Sequence, residues 1–80
     1  GLIRTSRAEA GTRENVPTLT HREQDILASI ARGESVRQTA HALGIAVKTV
    51  ESEQRQLFFK LRVHNRAQAL SEAQRLGLLT

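Results

Sequence analysis

The sequence predicts an all-α domain, a four-helix bundle-like fold that contains a helix-turn-helix and follows a flexible N-terminal tail. Three observations predict it. N-cap signatures recur at Thr20, Ser35 and Asn65, each with Glu or Gln three residues on. Gly33, Gly44 and Gly77 stand where helices begun near those caps would stop. Apolar residues recur at helical spacing, and no stretch shows the period of two that a half-buried strand requires.

Residues 1–18 carry no sustained apolar period and hold two of the five Gly and the only Pro. They read as a linker or tail, largely disordered in isolation, leaving 19–80 as the folded domain. A first residue of Gly rather than Met is the expectation for a piece of a longer chain, with an upstream domain.

From Leu19 the pattern changes. Thr20 and Glu23 form a capping box, Ile26, Leu27 and Ile30 give an apolar stripe, and Gly33 closes a helix over about 21–32. Ser35 and Gln38 open a short second helix, about 36–43, in which Val36, Ala40 and Leu43 lead to Gly44. The third helix, about 47–61, places Val47, Val50, Leu57, Phe58 and Leu61 on one face and Lys48, Glu51, Ser52, Arg55 and Phe59 on the other. Ala46 stands where its cap should be, a weak start worth ~1 kcal/mol. Asn65 and Gln68 open the fourth, which runs through Ala69, Leu70, Ala73 and Leu76 to Gly77.

A short capped helix, a tight turn at Gly44 and a longer helix with a polar outer face make a helix-turn-helix. Ala40 and Ala42, with Gly44, allow the two helices to approach closely. Such a pair lets the second helix enter the major groove while the first crosses the backbone.

The ordered set Leu19-Thr20-His21-Arg22-Glu23, Ile30-Ala31-Arg32-Gly33-Glu34-Ser35, Ala40-His41-Ala42-Leu43-Gly44-Ile45, Lys48-Thr49-Val50, Lys60-Leu61, Asn65-Arg66-Ala67-Gln68-Ala69 and Gly77-Leu78-Leu79 resembles the LuxR/NarL (GerE-type) DNA-binding domain of bacterial transcription regulators. The resemblance covers residues 19–79. It implies that residues 47–61 are a recognition helix and that the last helix supports dimerisation. It implies phosphate contacts for Lys48, Thr49 and Lys60, and base-edge contacts for Glu51, Ser52 and Arg55. Arg55 suits bidentate contact with guanine, and Glu51 suits cytosine N4. The bland alternative for Arg55 is an ion pair with Glu51 one turn back.

The sequence departs from the family's pattern at several positions. A basic or polar residue is usual at Glu51, His at Glu53, an apolar residue at Gln54, Asn at Val36 and Ile at Thr39. Two carboxylates on the recognition helix raise the electrostatic cost of facing phosphate.

The remaining features exclude more than they assign. With no Cys, disulfides, thiolate zinc sites and cysteine nucleophiles are ruled out. Trp and Tyr are absent and Phe58 and Phe59 are the only aromatics, too few for the stacking platforms that single strands require. Net charge is +4, consistent with a polyanion partner without demanding one. His21, His41 and His64 lie in different elements without ligand spacing and read as surface residues. No catalytic constellation assembles, so no enzyme and no cofactor are expected, and no membrane association either; the expected compartment is the cytoplasm.

The expected function is therefore a double-stranded DNA-binding output domain, a homodimer that forms part of a longer response regulator with an upstream receiver or sensor domain. RNA polymerase is a partner this reading leaves open. A dimer contact is expected at Ala67, Ser71, Gln74 and Arg75. The rivals are a sigma-factor-like promoter-binding domain and a protein-interaction module with decayed DNA contacts.

Overall fold

The computed structural model describes residues 16–79, so most of the expected tail, 1–15, lies outside the described residues. Among the described residues are four helices and no strand: α1 (His21–Ala31), α2 (Val36–Leu43), α3 (Val47–Leu61) and α4 (Arg66–Arg75). The bounds of α2 and α3 are those the sequence predicts. α4 stops at Arg75, with Leu76 as its C-cap rather than part of its last turn.

Local hydrogen bonding explains where each helix starts. Thr20 Oγ1 accepts from the Glu23 amide at 3.1 Å, and the Glu23 carboxylate accepts from the Thr20 amide at 2.9 Å. Ser35 and Gln38 repeat the exchange at 3.1 and 2.8 Å. The third box is displaced. Asn65 Oδ1 accepts from the Gln68 amide at 2.8 Å, but the Gln68 carboxamide accepts from the His64 amide, one residue before the cap. At α3 the backbone turns in at φ −73° and ψ 150° with no side-chain cap, because Ala46 has no oxygen to offer.

All four helices close alike. The amide after each end turns back three residues and the next amide turns back five, as in Gly33 to Ile30 (2.9 Å) and Glu34 to Ser29 (3.0 Å). This closure puts one residue in the left-handed region. Gly33, Gly44 and Gly77 serve three helices, but Arg62 serves α3, at φ 58°. Nothing in its residue type signals that.

α3 is the hub and packs against each of the other three helices, while α1 also packs on α4. Ile26, Leu27 and Ile30 from α1, Ala40 from α2, Val50, Leu57 and Leu61 from α3, and Ala69 and Ala73 from α4 form the buried core with Leu19. Two expectations need correction. Val47, placed on the core face, is 39% exposed, because the first turn of α3 overhangs the core. Ala42 is exposed too, so Ala40 alone provides the close approach of α2.

Three polar links brace this small core. Buried Thr39 donates to Ser29 Oγ at 2.9 Å and lies 3.0 Å from the Ser35 carbonyl, while Ser29 donates to the Ile26 carbonyl at 2.7 Å. At 39, where the resembled family usually has Ile, a hydroxyl pair therefore joins α1 to α2. Arg66 at the start of α4 donates to the Glu34 carbonyl and, at 3.3 Å, to Gln54 Oε1. That contact gives half-buried Gln54 a polar partner. The third link, Lys60 to Glu23, bears on the functional surface.

Candidate nucleic-acid interface

On a helix that turns about 100° per residue, Lys48, Ser52, Arg55 and Phe59 fall within an arc of about 60°. The buried Val50, Leu57 and Leu61 lie on the opposite side. Lys48, Thr49, Glu51, Ser52 and Arg55 are all exposed, so the expected phosphate and base contacts share one accessible surface, apart from Lys60. Glu51 borders the arc. Glu53 does not: it is half-buried and sits about 160° round from Arg55. Only one of the two carboxylates thus bears on the exposed face.

Lys60 is placed elsewhere. Its ammonium donates to Glu23 Oε1 at 2.6 Å and to the Thr18 carbonyl at 3.1 Å. The Glu23 side chain is 2% exposed and that of Lys60 34%. An unpaired carboxylate at that depth would be strongly unfavourable, so the half-buried ammonium is the group that neutralises it. Burial pushes the Glu23 carboxyl up, but hydrogen bonds from Lys60 and the Thr20 amide and the Lys60 charge outweigh it, leaving it below the ordinary range. Lys60, expected at phosphate, here forms a tie between the end of α3 and the start of α1.

Pairing also sorts the surface charge. Among the described residues, ion pairs hold Glu34 with Arg32, Glu23 with Lys60, and Glu72 with Arg75, while the exposed His21 ring lies 3.8 Å from Asp25. Three of the acids are thus occupied by a cation. Among the described residues neither Glu51 nor Arg55 is in an ion pair, so the alternative pairing of these two is not formed. Lys48 and Arg55 on α3, Arg37 at the start of α2, Arg62 just beyond α3, Arg22 on α1 and Arg66 on α4 remain outside these pairs among the described residues. Four of these six cations lie on or beside the helix-turn-helix, together with the carboxylates of Glu51 and Glu53.

The α4 residues Ala67, Ser71, Gln74 and Arg75 are exposed, with the Arg75 guanidinium held by Glu72 at 2.5 and 3.0 Å. A cleft of about 600 Å³ is lined by Pro17, Lys60, Leu61, Arg62, Glu72, Arg75 and Leu76. Its lining contains no Ser, Thr, Cys or His. Among the described residues no group of three or more His, Cys, Asp or Glu could hold a metal ion. No described helix is long and apolar enough to cross a membrane.

Residues 17–73 match the family described as "Bacterial regulatory proteins, luxR family". The chain belongs to the LuxR family. This is a family of DNA-binding transcription-regulator domains rather than a class of enzyme. Over 63 residues the chain is 41% identical to the "Probable transcriptional regulatory protein NarL" of Mycobacterium tuberculosis, covering 79% of this chain and 29% of the relative. It is 39% identical over 61 residues to the "HTH-type transcriptional activator RamA" of Corynebacterium glutamicum, covering 76% of this chain and 22% of the relative. The "Uncharacterized response regulatory protein YgeK" of Escherichia coli is 37% identical over 62 residues, 78% of this chain and 42% of the relative. The LuxR-family domain seen here thus spans less than half the length of these relatives.

Two features of this LuxR-family domain escaped the sequence reading. The Lys60–Glu23 tie joins residues 37 apart. Arg66 bridges to the α1–α2 turn across 32 residues. Spacing along one helix signals neither.

Proposed function

We propose that this domain is the sequence-specific output module of a transcription regulator, with α3 lying in the major groove. Lys48 and Thr49 at the start of α3 hold phosphate, and Glu51, Ser52 and Arg55 face base edges. The observation that carries the reading is the exposed arc of Lys48, Ser52 and Arg55, free of ion pairs among the described residues and opposite the buried side of the same helix. From Lys48 to Arg55 the arc runs along about 10 Å of helix, a length suited to a few successive base pairs.

The domain acts as a homodimer through α4, around Ala67, Ser71, Gln74 and Arg75, on two half-sites. It forms part of a longer chain with an upstream receiver or sensor domain, in the cytoplasm. The response-regulator name of one relative and the short share of each relative covered support that context. RNA polymerase is the partner such a regulator would engage at a promoter.

The test is fluorescence anisotropy of labelled duplexes at several salt concentrations, with Arg55→Ala beside the parent. Preferred duplexes, affinity falling steeply with salt, and a preference relaxed at one base pair in the variant are expected. Weak binding to every duplex, unchanged by Arg55→Ala, would overturn the reading.

A further inference from the structure

Phe59 is 84% exposed, and the only other large hydrophobic residue exposed among those described is Val47 at 39%. A single exposed apolar side chain on a soluble protein is ordinary. The position of this one is not. It lies within the arc that carries Lys48, Ser52 and Arg55, one turn or about 6 Å beyond Arg55. Its ring stands beside a shallow cleft of about 470 Å³ lined by Arg55, Phe58, Arg62, Val63 and His64. No carboxylate lines that cleft. The ring is thus an apolar group set among cations, on the face read above as the DNA-facing one.

A major-groove edge offers donors, acceptors and a single apolar group, the C5-methyl of thymine. We propose that Phe59 is a specificity residue that reads a thymine methyl at the base step beyond the pair contacted by Arg55, with Arg62 flanking it toward phosphate. The inference rests on α3 lying in the major groove. It adds an apolar readout to the polar one, at a position the family resemblance did not mark.

The experiment uses the full 80-residue chain and a duplex selected from a randomised pool. Each thymine of the selected duplex is replaced in turn by uracil, which removes only the methyl group. Wild type should lose about fourfold in affinity at one position, the equivalent of one buried methyl at ~0.8 kcal/mol. Phe59→Ala should bind thymine and uracil duplexes equally, and Phe59→Leu should recover part of the discrimination. Arg55→Ala should keep the uracil effect while relaxing preference at a different pair. A selected duplex with no uracil-sensitive position overturns the proposal alone. So does a Phe59→Ala variant that still discriminates, or one that binds DNA as wild type does and so leaves the ring to a protein partner. Failure to select any preferred duplex overturns the groove-reading assignment itself, and this proposal with it.

Discussion

Lys60, in the last turn of α3, places its ammonium 2.6 Å from the carboxylate of Glu23, in the first turn of α1. Glu23 is also the acceptor for the Thr20 amide, so one carboxylate completes a helix cap and anchors a second helix. Replacing Lys60 by Met leaves that carboxylate without its cation. Stability to urea should fall by about 2 kcal/mol, in the range of hydrogen bonds to charged groups. The slope of DNA affinity against salt should stay as in wild type. A slope reduced by about one would return Lys60 to the phosphate backbone.

The same pair sets an acid limit. The folded domain holds the Glu23 carboxyl below its ordinary value, so the native state binds fewer protons than the unfolded chain in that range. The resulting stability is present above the unfolded-chain value of about 4.3 and is lost as pH falls through the folded value beneath it. Glu34 and Glu72, lowered by hydrogen bonds from Arg32 and Arg75, contribute in the same direction at exposed, salt-screened sites. Urea midpoints measured from pH 6 downward should fall less steeply for Glu23→Gln than for wild type.

Ala46 already has the extended backbone of an N-cap but lacks the oxygen. Ala46→Ser should stabilise the domain by about 1 kcal/mol, read as a rise in denaturation midpoint. No change would mean that tertiary packing already fixes this turn.

Arg62 adopts φ 58°, a conformation that disfavours side chains bearing a Cβ. Arg62→Gly removes that strain but adds freedom to the unfolded chain, so a net gain of roughly 0.5–1 kcal/mol is expected. Destabilisation would show that the Arg62 side chain contributes contacts worth more than the strain.

The Ser29–Thr39 pair has two hydroxyl protons for three close contacts, and each hydroxyl has a backbone carbonyl nearby. Removing either hydroxyl therefore strands no buried donor. Thr39→Val should change stability by about 1 kcal/mol or less. A much larger loss would make the hydroxyl pair essential to the α1–α2 packing.

Thr20, Ser35 and Asn65 made the helix starts legible because a cap is a contact between residues three apart. Gly33, Gly44 and Gly77 did the same for three ends. The exposed arc on α3 was readable for a similar reason, since helical periodicity separates Arg55 from Leu57. The partner of Lys60 was not legible because it comes from another helix, and a basic residue near a helix end looks the same whether it faces phosphate or a buried carboxylate. Glu53 was misjudged because both carboxylates were assigned to the groove by their place on the helix, although at about 100° per residue Glu53 already falls about 160° from Arg55. Val47 matched the core stripe, but the end of a helix can overhang its support.

The missing cap on α3 has a dynamic consequence. The third amide of α1, at Glu23, and that of α2, at Gln38, are held by Thr20 and Ser35, whereas the corresponding amide at Thr49 has neither a turn behind it nor a hydroxyl before it. Thr49 should therefore exchange its amide hydrogen with solvent far sooner than either counterpart. The helix that presents the exposed face opens on the least committed turn of the domain, and whatever settles there will have to quiet it.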